Sequence, residues 1–217
     1  MIRGAIFDID GTLLDTMGVW KDVGRQYLLA QGVTDVESGM GEKLFSMSME
    51  ESADYMRVHY LPEKTVSMIM QDIIDIMDRF YRYEAVLKPG VPELLKWLKE
   101  KGISMVLATA GDPALAEAAL RRNGVWHYFQ KLFGCTAEGT TKHEPDIYLK
   151  AAGYIGTPVT ETAVFEDVLY AAKTAKEAGF FVVGVEDVGS RGQEDDMKKT
   201  CTCYCENIFD CIGYLQK

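Results

Sequence analysis

Two aspartates, Asp8 and Asp10, stand two residues apart where the mostly apolar run Ile2 to Ile9 breaks off into Gly11 and Thr12. In an extended segment the side-chain period of two points both carboxylates the same way. Carboxylates sharing a pocket repel unless one keeps its proton or a cation stands between them. Mg²⁺ takes oxygen ligands and shares them with a phosphate, so it relieves the repulsion and supplies a positive centre. An acidic turn after a strand is the simpler alternative, but aspartate is a poor strand residue, which weakens it. Glu166 and Asp167 in "VFEDV" close a second apolar run. A helix N-cap would account for Asp167 by itself. Acidic pairs at two separate strand ends favour a metal site.

Two further positions could meet a phosphate. "VLATAGD" ends in Thr109, Ala110 and Gly111, a hydroxyl followed by small residues whose backbone N–H groups an anion can approach closely. Lys142 in "TTKHEPDIY" is a point charge suited to a phosphate oxygen. Such a local centre is needed, because 33 acidic against 23 basic side chains give a formal charge of −10. That field repels nucleic acid and anionic lipid, so neither is an expected partner.

The elements that must position these residues follow from hydrophobic patterning. Ile2 to Ile9, "ISMVLAT", "TAVFED" and "FFVVGVED" are short apolar runs ending in small or acidic residues, the pattern of buried parallel strands. Amphipathic stretches of helical period lie between them: Val91 to Lys101, Ala114 to Asn123 and Ala171 to Ala178. The alternation predicts an α/β fold with a doubly wound parallel sheet. In such sheets the ligand sits beyond the carboxyl ends of the strands, where the polar run ends would converge. Residues 16–87 differ, holding helical patterns over Val19 to Gln31, Met49 to His59 and Val66 to Tyr83. This predicts a helical insertion over 16–87 in a core made of 1–15 and 88–217. Seven of the 11 methionines fall between Met40 and Met77 and read as filler of a helical core.

A chain of 217 residues suits one large α/β domain or a core with an insertion, and could bury roughly 70% of its unfolded surface. The N-terminus "MIRGAIFDIDG" lacks the pattern of a signal peptide, and no run approaches the ~20 apolar residues of a membrane span. A cytoplasmic setting, five reduced cysteines and a monomer or weak dimer are expected.

The ordered set "FDIDGT", the Thr109 strand end, the lysine ahead of "PDIYLKAA", and "VFEDV" followed by "AAKTAKEAG" resembles the four motifs of the haloacid dehalogenase superfamily. The likeness is to its β-phosphoglucomutase-like phosphatase branch, whose helical cap is inserted just after the first strand, and it runs from Met1 to about Gly184. The resemblance implies that Asp8 is the nucleophile and a metal ligand, and Asp10 the general acid/base with its carbonyl also on Mg²⁺. Thr109, Ala110 and Lys142 would hold phosphate, and Asp167 with Glu166 would complete the Mg²⁺ shell. The implied activity is Mg²⁺-dependent hydrolysis of a small phosphorylated metabolite, a sugar phosphate among the candidates, through an aspartyl-phosphate. Val168 replaces a frequent serine, His143 a frequent proline, and Trp20 stands where mutase members carry histidine. The last departure favours hydrolysis over a sugar-phosphate mutase. A receiver-like phospho-acceptor switch is the alternative of another class, but it predicts ~120 residues without an insertion and leaves Asp10 without a role.

Cys201, Cys203, Cys205 and Cys211 crowd "TCTCYCENIFDC". On an extended strand alternate side chains are ~6.8 Å apart, whereas two thiolates on one zinc lie within ~4.6 Å. Packing is therefore the expected role. His59 and His127 carry no second ligand at metal spacing and read as structural, Trp97 continues an apolar helix face with Leu94 and Leu98 and reads as core, and His143 reads as a solvent-facing loop residue.

Overall fold

The computed structural model describes residues 1–216. Six parallel strands form one sheet in the order β3-β2-β1-β4-β5-β6. They are β1 (Gly4–Phe7), β2 (Ser104–Thr109), β3 (Leu132–Gly134), β4 (Thr162–Glu166), β5 (Phe181–Val185) and β6 (Cys203–Cys205). The four longer strands are the four apolar runs. β3 and β6 are three-residue edge strands, too short to show a period. The central strands are buried, and Phe7 of β1 stacks on Phe165 of β4 at 4.2 Å. Strand order reverses between β1 and β4, which makes their carboxyl ends the crevice for a ligand.

Helices Val91–Glu100, Pro113–Arg122, Asp146–Ile155 and Leu169–Glu177 connect the strands. Each follows a local signal. Pro113 and Pro92 sit in first turns, and Asp112 caps its helix by accepting from Ala114 N–H at 2.7 Å. Ile147, Tyr148, Ala151 and Ala152 line the buried face of Asp146–Ile155, a helix absent from the patterning above.

The chain divides into two compact units, one made of Met1–Asp15 and the chain from Ala85 onward, the other of Thr16–Glu84. Ala85 to Leu87 belong with the first unit: Leu87 bridges Leu14 in antiparallel fashion and Asp15 N–H donates to the Val86 carbonyl at 2.9 Å.

The second unit consists of helices Met17–Ala30, Met40–Phe45, Met49–His59 and Val66–Tyr83. Met40, Met56 and Met77 are buried in its core with Tyr27, Leu28, Ile69 and Ile73. Gly24 lets two helices approach, since a Cβ there would stand 2.7 Å from Leu44 Cδ1. A cavity of about 220 Å³ is lined by Trp20, Met47, Met49, Ser52 and Met56 among others. The Trp20 indole donates to the Tyr81 hydroxyl at 2.9 Å. No helix of the described residues is long and apolar enough to cross a membrane.

The four clustered cysteines are free and buried. Cys203 and Cys205 are the two buried positions of β6, on one face of the strand. Burial pushes the Cys201 thiol up to about 12.

Candidate active site

Asp8 follows directly on β1, and its N–H donates to the Phe165 carbonyl at 3.0 Å, so the β1–β4 pairing extends to the residue itself. Glu166 is the last residue of β4 and Asp167 the next. Their carboxylates and that of Asp8 are all buried, with one oxygen from each within 4.8 Å of the others. Lys142, on the loop before helix Asp146–Ile155, places its buried ammonium among them and donates to Asp8 Oδ1 and, at 2.7 Å, to Glu166 Oε1.

One ammonium against three carboxylates leaves two negative charges in excess. Titration reflects this imbalance. Burial pushes Glu166 up to about 7 against the pull of Lys142. Burial, then the charges of Asp8 and Glu166, raise Asp167 well above the carboxylate range. Burial alone would lower Lys142, but the Asp8 and Glu166 charges outweigh it and hold the ammonium above its ordinary value.

Each acidic residue of the second pair has one oxygen occupied and one free. The Tyr148 hydroxyl and Lys142 both donate to Glu166 Oε1, each at 2.7 Å, and the Thr12 hydroxyl donates to Asp167 Oδ1 at 3.3 Å. Glu166 Oε2 and Asp167 Oδ2 are buried with no hydrogen-bond partner among the described residues. A buried unpaired carboxylate oxygen is costly. An all-oxygen donor set with an excess of two charges fits Mg²⁺.

Asp10 approaches from the turn after β1. A Cβ on Gly111 would stand 3.0 Å from Asp10 Oδ2 and 3.3 Å from Thr109 Oγ1, so the turn after β1 and the end of β2 meet with little clearance. The buried Thr109 hydroxyl accepts from Gly111 N–H at 2.9 Å, while Ala110 between them is exposed at the end of β2. Around one strand-end cluster, therefore, Asp8, Lys142, Glu166 and Asp167 are in direct contact or within metal-ligand reach. Asp10 and Thr109 border Gly111.

Two contributors escaped the sequence reading. Thr12 was legible only as part of "FDIDGT", and Tyr148 only as an apolar helix position; its hydroxyl partner lies 18 residues away on another element. His143 is exposed as expected, and its ring stacks on Tyr170 at 4.2 Å.

A parallel sheet with carboxylates and a lysine gathered at the ends of β1 and β4 defines a hydrolase-type α/β site. The chain belongs to the haloacid dehalogenase-like hydrolases, whose family model matches residues 5–185. Its relatives in that family include a β-phosphoglucomutase and sugar-phosphate phosphatases. The β-phosphoglucomutase of Bacillus subtilis (strain 168) is 28% identical over 195 residues, covering 85% of this chain and 83% of its own. The fructose-1-phosphate phosphatase YqaB of Escherichia coli (strain K12) is 26% identical, covering 84% and 95%. A candidate β-phosphoglucomutase structure from Thermotoga maritima shares the fold with a TM-score of 0.85 at 21% identity, covering 99% of both chains.

Proposed function

We propose that the protein is a Mg²⁺-dependent phosphatase for a small phosphorylated metabolite, working through an aspartyl-phosphate on Asp8. The observation that carries this reading is the Lys142 ammonium joined to Asp8 and Glu166 beside the two unpartnered oxygens Glu166 Oε2 and Asp167 Oδ2. Mg²⁺ bound by Asp8, the Asp10 carbonyl, Asp167 and Glu166 would supply the neutralisation of phosphoryl charge on which this chemistry depends.

The protein's own groups then divide the work. Lys142 engages Asp8 Oδ1, which leaves the other oxygen to attack phosphorus in line. Asp10 gives its proton to the leaving alkoxide. In the second half Asp10, now a carboxylate, takes a proton from water as that water attacks phospho-Asp8, releasing phosphate and restoring both aspartates. Lys142 and Thr109 hold phosphoryl oxygens through both halves. We assign the helical unit Thr16–Glu84 the part of a cap that selects the substrate.

Release of inorganic phosphate from p-nitrophenyl phosphate in the presence of Mg²⁺ tests the reading. Asp8→Asn is expected to lower kcat by on the order of 10³-fold or more, because it removes the nucleophile. Undiminished turnover in that variant would sink the mechanism.

The relationship to a β-phosphoglucomutase favours one second reading, a sugar-phosphate mutase. There phospho-Asp8 must outlast water until a second hydroxyl arrives. Interconversion of β-glucose 1-phosphate and glucose 6-phosphate faster than phosphate release would establish it. Trp20, standing where the resemblance places a histidine in mutases, argues for hydrolysis.

A further inference from the structure

Lys88 is a buried lysine outside the four motifs, and all three of its ammonium donors are engaged. Nζ donates to the Gly11 carbonyl at 2.8 Å, to the Glu186 carbonyl, and to Asp187 Oδ2 at 2.8 Å. Gly11 lies one residue beyond Asp10, and Glu186 and Asp187 follow β5. Asp187 is itself held, since its other oxygen accepts from Gly189 N–H at 2.7 Å.

We propose that Lys88 is a positioning residue for Asp10, clamping the turn that carries the acid/base group against the loop after β5. The turn runs at positive φ through Gly11 (+83°) and closes by local bonds, Gly11 N–H to the Leu14 carbonyl and Leu13 and Leu14 N–H to the Ile9 carbonyl. Such a turn fixes its own shape but not its place above the sheet. Its place is set by Thr12, which donates to Asp167, by the bridge between Leu14 and Leu87, and by Lys88, through its side chain at Gly11 and its backbone N–H, which donates to the Leu13 carbonyl at 2.9 Å. The tolerance is small, because Asp10 Oδ2 lies 3.0 Å from where a Cβ on Gly111 would stand.

A buried ion pair is a poor source of stability, since the desolvation of both charges offsets their attraction. Its geometry, with three acceptors in two loops that frame the crevice, is what the clamp provides. A proton donor displaced by about 1 Å can lose on the order of 10²-fold in rate.

The inference rests on the phosphatase reading, and the experiment separates the two. Lys88→Met alone leaves the Asp187 charge buried without its partner and is prone to misfold. Lys88→Met/Asp187→Asn removes both charges and is the variant to measure. Its kcat/KM is compared with that of the unaltered protein over monoesters ranging from p-nitrophenyl to alkyl phosphates. A nitrophenolate leaves without a proton and an alkoxide does not. The expected result is a loss of ~10- to 100-fold for alkyl phosphates against less than ~3-fold for p-nitrophenyl phosphate. An equal loss across the series would show a merely structural tie and overturn the proposal.

Should the unaltered protein release no phosphate from any monoester, the phosphatase reading fails and amide hydrogen exchange decides the clamp. Exchange at Leu13 and Leu14 should then quicken by ~10-fold in the double variant, with helix Pro113–Arg122 unchanged. Unaltered protection of Leu13 and Leu14 would overturn the clamp.

Discussion

Glu166 and Asp167 each show the crevice one bare oxygen because Tyr148, Lys142 and Thr12 occupy the other. Hydrogen bonding to one oxygen fixes the rotation of the whole carboxylate, so a ligand oxygen is held ready before any ion arrives. The same economy of space acts at Gly111, where a single added carbon would meet Asp10 Oδ2 at 3.0 Å and Thr109 Oγ1 at 3.3 Å. Gly111→Ala should therefore push the Asp10 carboxylate aside while leaving the fold intact. The expected outcome is a fall in kcat of ~10-fold or more. The thermal midpoint should move by less than about 4 °C, the equivalent of ~1 kcal/mol at this chain length. Steady-state kinetics with thermal denaturation on the same preparation checks both, and unchanged kcat would show that Asp10 has room to spare.

At the scale of elements, local signals and distant contacts share the work differently in the two units. The α/β unit relies on strand ends, because parallel strands of similar length bring their carboxyl-terminal residues to one edge of the sheet. The helical unit relies on packed faces tied by a few polar contacts. Asp72 of helix Val66–Tyr83 accepts from Lys64 Nζ and from the Tyr27 hydroxyl, both at 2.7 Å. The Lys64 bond first, then the Tyr27 bond, hold the Asp72 carboxyl below its ordinary 3.8. A depressed carboxyl stabilises the fold above its unfolded-state value, and that contribution drains away as pH falls through the lower folded-state value. Asp72 is 40% exposed, so solvent screening limits the contribution to less than about 1 kcal/mol. Asp72→Asn should accordingly lower thermal stability slightly at pH 6 and much less at pH 2.5, as seen by circular dichroism. An equal loss at both pH values would show that the carboxylate charge is not what ties the helix.

For the whole molecule the dominant electrostatic fact is negative excess, −10 over the chain and two charges among the buried groups of the site. A divalent cation that binds only the folded state adds stability by mass action, about 2.7 kcal/mol at one hundred times its dissociation constant. Mg²⁺ should raise the thermal midpoint by roughly 5–10 °C at that excess. Asp167→Asn should remove this response. Scanning calorimetry with and without Mg²⁺ reads the response. A full Mg²⁺ response in Asp167→Asn would exclude Asp167 from the ion's shell.

Much of this was readable along the chain. Asp8, Asp10, Thr109, Glu166 and Asp167 end or follow apolar runs, and a run that ends in polar residues reports both a strand and the crevice beyond it. Lys142 was readable only as a lone cation and through the ordered motifs, β6 only as a conditional extended segment around its cysteines, and β3 and helix Asp146–Ile155 not at all. Two of these are three-residue edges that take their conformation from a neighbouring strand, and the third was hidden behind the motif it follows. Tertiary structure alone decided which carboxylate oxygens are occupied and which are bare, that Tyr148 serves Glu166, and that Lys88 reaches Gly11 across 77 residues of sequence. Residue type and local period specify which side chains can do chemistry and where an element ends. The partner of a given atom depends on the register of distant elements, and that exists only once the sheet has formed.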